Sequence, residues 1–221
     1  MDILTLYWPA LGCGLAVIGL LWTEVTGQRQ AQWVFKPLAA VMFVLQALLC
    51  GALMSAYGMA ILGGLLLCLA GDVLLIPRER EKLFQAGIAA FLAGHVAYIV
   101  AFSLSGFVVP YAVLKLSFIG LIGLGFLRWI NRHLAPEMRA PVILYTIVIM
   151  GMVIAAVAAW QAGAPWQIAG AATMFAISDM AVARDRFVTQ TPANAFVITP
   201  LYFGAQLLFA VSVAGFVSPS S

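Results

Sequence analysis

Apolar stretches of bilayer length follow one another almost without interruption, and this constrains the fold more than any motif. A helix crosses the hydrocarbon layer with about 20 residues. Segments of that kind fall at roughly 4 to 26, 33 to 54, 57 to 76, 83 to 104, 108 to 130, 140 to 160, 164 to 183 and 195 to 217. With 64% hydrophobic and 9% charged residues in 221, too little polar surface remains to cover a soluble core. The expectation is an all-α, polytopic integral membrane bundle of eight transmembrane helices. No linker longer than a turn divides them, so residues 1–221 read as a single domain.

Charge placement orients such a bundle. Ten of the eleven Lys and Arg fall at alternate loops: Arg29 and Lys36; Arg78, Arg80 and Lys82; Arg128, Arg132 and Arg139; Arg184 and Arg186. Only Lys115 lies elsewhere, where a snorkelling side chain accounts for it. The positive-inside rule makes these four loops cytoplasmic and both termini extracytoplasmic, which suits an even number of spans. Asp2 stands where a cleaved leader would be basic, so the first helix is expected to be retained. The reading is a cell membrane, the bacterial inner membrane. A net charge of +3 dispersed over four loops makes no nucleic-acid surface, and no protein partner is implied. Cys13, Cys50 and Cys68 lie inside apolar helices without metal-ligand spacing and read as small core residues.

Against this background polar residues inside the spans stand out, because a charge at membrane depth is costly and marks function by default. Asp72 ends the third apolar segment and Asp179 the seventh. Each precedes a basic residue by five or six positions, which sets both about 7 to 9 Å below the same loops. His95 and Tyr98 share a face of the fourth helix three residues apart. Tyr145 is the polar residue of the sixth. Thr199, Tyr202 and Gln206 share a face of the eighth, with Pro200 loosening its backbone. Gly64, Cys68, Gly71 and Asp72 form a small-residue stripe that admits a neighbouring helix or a bound hydrocarbon chain.

Blander readings stand beside these. Glu24, at a helix end, suits a solvated face. Lys36 serves either as a snorkelling residue or as a phosphate contact, with Pro37 in the first turn of its helix. Gln46 suits an interhelical hydrogen bond. A shift of 107 residues lays Asp72 on Asp179 and His95 on Tyr202. That offset would give parallel repeats, although chance alignment of two apolar sequences is the better explanation.

Taken in order, Lys36-Pro37, Gly71-Asp72-Val73-Leu74-Leu75, Gly87 through Phe91 to His95 and Tyr98, Ser178-Asp179 with Arg186-Phe187, and Tyr202 with Gln206 resemble the YhhN/TMEM86 family, the lysoplasmalogenases. One departure is that Tyr202 is followed by Phe203 where the family tends to pair tyrosines. The resemblance implies hydrolysis of the vinyl ether bond of a lysophospholipid, giving a fatty aldehyde and glycerophosphoethanolamine or glycerophosphocholine. No cofactor or metal is implied.

Vinyl ether hydrolysis asks for one acid that keeps its proton and one carboxylate that keeps its charge. Two Asp sharing a site divide those parts between them. Asp179, near Ser178 and Arg184, is expected to be the base and Asp72 the proton donor. His95, Tyr98, Ser178, Tyr202 and Gln206 would orient substrate and water; Lys36 and Arg184 would hold the phosphate while the chain runs along the glycine stripe. Two other classes remain open: a metal-dependent intramembrane hydrolase with Asp72, Asp179 and His95 as ligands, and a proton-coupled lipid or solute transporter using the same acids as a relay.

Overall fold

The structure, a computed structural model, describes residues 3–77, 79–106 and 112–217, with side chains over 6–77, 79–106 and 117–217. Among the described residues eight α-helices follow one another: α1 (Ile3–Thr26), α2 (Gln32–Leu49), α3 (Ala56–Leu74), α4 (Glu81–Leu104), α5 (Ala112–Ile130), α6 (Pro136–Gln161), α7 (Trp166–Phe187) and α8 (Pro192–Ser212). Asp2, Arg78, the side chain of Lys115 and the expected start of the fifth helix lie outside the described residues.

Among the described residues six helices are long and apolar enough to cross a membrane: α1, α2, α3, α4, α6 and α8. α5 offers the shorter apolar run Ser117–Ile130. α7 differs because Asp179, Arg184, Asp185 and Arg186 all lie within it. The eight apolar segments of the sequence therefore correspond to eight helices, six of which are membrane-length by composition.

Local chemistry sets the ends. The Ser55 hydroxyl accepts the Gly58 N–H at 3.0 Å and caps α3. Pro136 and Pro192 open α6 and α8, where a missing N–H costs nothing. α2 stops at Leu49, five residues short of the expected end, because Gly51 adopts φ 85° and the chain turns into a short 3₁₀ segment, Ala52–Met54. Pro37 is not in the first turn. α2 begins at Gln32, so the proline sits in the second turn and leaves the Trp33 carbonyl without its helical partner.

The most extensive packing joins α3 to α4 and α7 to α8. Glycines govern the first pair. A Cβ on Gly64 would lie 2.3 Å from Tyr98 Cε1, one on Gly71 2.7 Å from Phe91 Cε2, and one on Gly94 2.9 Å from Cys68 Sγ. The small-residue stripe is thus filled by α4, and no hydrocarbon chain runs along it. Gln46 donates from Nε2 to the Leu6 carbonyl at 3.0 Å, tying α2 to α1 in the interhelical role its position suggests.

Candidate active site

Asp72 and Asp179 end up on the wall of one cavity of about 740 Å³. It lies at the end of the bundle where the α1–α2, α3–α4 and α7–α8 loops gather, and Arg29, Pro77 and Thr191 contribute to it. Its apolar flank comes from Phe84, Ile88 and Phe91 of α4, Phe126 of α5 and Val142, Ile149 and Met150 of α6. The volume falls in the range of small-molecule sites.

Asp72 is 1% exposed and is held by two other helices. Lys36 of α2 places Nζ 3.2 Å from Oδ1, and the Tyr202 hydroxyl of α8 donates to Oδ2 at 2.6 Å. A buried carboxylate needs a counter-charge and filled lone pairs, and both are present. The expectation of a phosphate contact did not foresee that Lys36 would face a carboxylate.

Asp179 is set differently. Tyr145 of α6 donates to Oδ2 at 3.0 Å, and His95 Nε2 of α4 stands 3.4 Å from the same oxygen. His95 is fully buried, and its Nδ1 lies 2.6 Å from the Phe91 carbonyl. A carbonyl only accepts, so Nδ1 carries a hydrogen and the ring orientation is fixed. No well-aligned hydrogen bond reaches Nε2.

Aromatic rings join the two acid clusters. Phe175 packs on His95 with centroids 4.6 Å apart and meets Tyr202 edge-on at 5.3 Å; Phe91 meets Tyr202 edge-on at 5.8 Å. Such edge-to-face pairs add stabilisation beyond area burial and leave little freedom for the groups bonded to the acids.

The other expected site residues divide into two groups. Ser178 lines the cavity, and its hydroxyl donates to the Ile198 carbonyl at 3.1 Å. Thr199 lines it as well. His95, Tyr98 and Gln206 do not. On α4 the lining reaches only to Phe91; His95 and Tyr98 lie one and two turns deeper, and the Tyr98 hydroxyl donates to Gln206 Oε1 at 2.7 Å. Arg184 turns away from the cavity and bonds Asn194 Oδ1, while Asn194 Nδ2 donates to Asp185 Oδ1 and to the Thr189 carbonyl. Among the described residues the arginines lining the cavity are instead Arg29 and Arg186; the Arg186 guanidinium lies over the Phe84 ring at 4.3 Å. Among the described residues no three His, Cys, Asp or Glu side chains cluster as metal ligands, and His95 meets only Asp179 of the two acids.

The wiring follows the 107-residue offset. Each Asp is bonded by the second helix of its own half, through Lys36 on α2 or Tyr145 on α6. Each is also met by the fourth helix of the other half, Tyr202 reaching Asp72 and His95 reaching Asp179. Asp72 and Asp179 correspond under the shift, as do His95 and Tyr202.

Such a molecule is a helical membrane bundle with two of its carboxylates on the wall of one cavity at its loop end. The chain belongs to the YhhN family, whose model matches residues 31–213. It is similar to proteins named lysoplasmalogenase TMEM86B. The Homo sapiens protein is 34% identical over 154 residues, covering 69% of this chain and 62% of that protein. The Sus scrofa protein is 29% identical over 205 residues, covering 90% and 82%, and the Mus musculus protein 33% identical over 153 residues, covering 69% and 62%. The match thus spans a little under two thirds of the human and mouse proteins. No solved structure matches the chain.

Proposed function

We propose that this protein is a membrane-embedded lysoplasmalogenase, hydrolysing the vinyl ether bond of a one-chain glycerophospholipid to a fatty aldehyde and a glycerophospho-alcohol. The observation that carries the reading is the unequal setting of two carboxylates on one cavity wall: among the described residues Lys36 lies against Asp72, and no Lys or Arg forms an ion pair with Asp179. Kinship with proteins named lysoplasmalogenase supports the same chemistry.

The Lys36 ammonium and the Tyr202 hydroxyl both favour the ionised form of Asp72, and in this reading they hold it as the carboxylate. The proton donor is then Asp179, the reverse of the roles expected from the neighbouring Ser178 and Arg184. In the first step the π electrons of the vinyl ether form a C–H bond with the Asp179 proton at the carbon β to oxygen. The resulting oxocarbenium charge develops beside the Asp72 carboxylate, which stabilises it. Water adds to the oxocarbenium carbon, the one bonded to the ether oxygen, and returns a proton to Asp179. The hemiacetal then breaks its bond to the glyceryl oxygen, which takes a proton from the acid pair as the hemiacetal hydroxyl gives one up.

The head group lies at the mouth with its phosphate toward Arg29 and Arg186, and the chain lies against Ile88, Phe91, Phe126 and Ile149. All eight helices span the membrane in this reading, α7 being sheltered by its neighbours. The basic loops and the mouth face the cytoplasm of a bacterial inner membrane, and both termini face outward.

The test is to incubate the purified protein with a lysoplasmalogen, its two-chain plasmalogen parent and an ester lysophospholipid, following aldehyde. Aldehyde from the first, faster than from the second and absent from the third, is the expected result. Failure to release aldehyde from any vinyl ether lipid refutes the reading. Uptake of lipid into proteoliposomes without cleavage would point to transport instead.

A further inference from the structure

We infer that His95 is the proton partner of Asp179, a buried positioning residue that keeps this carboxyl loaded with the proton it delivers and reloads it after each turnover. This rests on the lysoplasmalogenase reading for its chemistry, but its structural half can be tested without substrate.

The ring of His95 is fixed, so the hydrogens around it can be counted. His95 Nδ1 faces the Phe91 carbonyl at 2.6 Å and must carry a hydrogen. In a neutral imidazole Nε2 is then a bare lone pair. Across 3.4 Å it faces Asp179 Oδ2, which is also an acceptor when ionised. Two acceptors facing each other repel, and the fully buried Nε2 is left without a partner. One further proton, on either Oδ2 or Nε2, removes the conflict.

Charge balance gives the same answer. Lys36 and Asp72 sum to zero. His95 with Asp179 sums to zero only if the pair holds that extra proton, and a net charge at membrane depth is disfavoured. Among the described residues the groups facing the pair supply no other cation: Tyr145 of α6 donates to Oδ2, and Phe175 of α7 and Tyr145 cover the ring of His95. On the cavity side Asp179 is accessible, its side chain 13% exposed, whereas His95 is sealed. The proton therefore leaves through the carboxyl, while the imidazole, with no access to the reacting carbon, acts only through it.

The repeat-like wiring sharpens the contrast. At the corresponding position Asp72 meets a phenol, Tyr202. A phenol donates its hydrogen to a carboxylate and does not take one from a carboxylic acid at ordinary pH, whereas an imidazole exchanges protons readily. One acid is thereby equipped to stay charged and the other to pass a proton back and forth.

His95→Gln tests the inference, because the amide keeps a polar group of similar length but cannot accept and return a proton. Aldehyde release should lose about a hundredfold in kcat with KM within about twofold of wild type, the size of a general-acid contribution. Infrared spectra of the resting protein supply the second measurement. A protonated-carboxyl C=O stretch that disappears in Asp179→Asn should be present in wild type and weakened or displaced in His95→Gln. Retained kcat in His95→Gln overturns the proposal, as does a carboxyl band untouched by either substitution. A lower kcat with an unaltered Asp179 band also overturns it, since His95 would then be only a packing residue. Should His95→Gln fold poorly, His95→Asn and the wild-type spectrum decide by the same criteria. If no vinyl ether lipid is cleaved, the activity reading fails while the infrared result still decides whether Asp179 holds a proton.

Discussion

Replacing Lys36 by Met removes the only cation within ion-pair distance of Asp72 among the described residues. At 3.2 Å the pair interacts by about 5 kcal/mol at an effective dielectric constant of about 20. Lys36 keeps a quarter of its side chain exposed while Asp72 is nearly sealed, so the lysine recovers part of that in hydration when the pair is broken. A net cost of about 3 kcal/mol follows, at the low end for stranding a buried charge. The same analysis requires non-additivity. Once Asp72 is Asn no charge remains to be stranded, so adding Lys36→Met to Asp72→Asn should cost little, with a coupling energy of about 3 kcal/mol. Unfolding of the four proteins in detergent, followed by circular dichroism against denaturant or temperature, measures the cycle. Aldehyde release should fall about a hundredfold in Lys36→Met if the ionised Asp72 stabilises the cationic intermediate, since 3 kcal/mol is roughly two decades in rate. Additive stabilities, or full turnover in Lys36→Met, would refute the reasoning.

Asp72→Asn and Asp179→Asn should each abolish aldehyde release while the protein still inserts and elutes as wild type, measured by turnover and size-exclusion chromatography. Gly64→Ala should destabilise by about 1–3 kcal/mol, because its Cβ would enter the Tyr98 ring; thermal unfolding in detergent reads this, and an unchanged midpoint would contradict the close α3–α4 contact. Arg186→Gln should raise KM for a lysoplasmalogen about tenfold, one decade for about 1.4 kcal/mol of lost phosphate contact, with kcat retained. A 1-alkenylglycerol without phosphate should be indifferent to the same substitution.

What could be read from the sequence depended on whether the signal lay within one helix or between several. Asp72 and Asp179 announced themselves because carboxylates are out of place in apolar segments, and their distance from the basic loops gave a common depth. Their partners did not. Lys36 and Asp72 are 36 residues apart on different helices, and helical periodicity assigns a face only within one helix. Tyr145 was visible as an isolated hydroxyl, but no spacing ties it to Asp179. Arg184 and Arg186 illustrate the same limit: two residues on a helix differ by about 200° in direction, and only packing decides that Arg186 looks into the cavity while Arg184 turns to Asn194. The glycine stripe was legible as a site of close approach, but whether a helix or a lipid tail occupied it was not, because small residues permit both.

The crossed wiring of the carboxylates has a consequence for how the two halves depend on each other. Neither four-helix half contains a finished acid: α1–α4 holds Asp72 with Lys36 but lacks Tyr202, and α5–α8 holds Asp179 with Tyr145 but lacks His95. In the proposed reaction, chemistry would therefore wait until the halves have docked, and a half-inserted chain would be spared a reactive proton donor exposed to surrounding lipid.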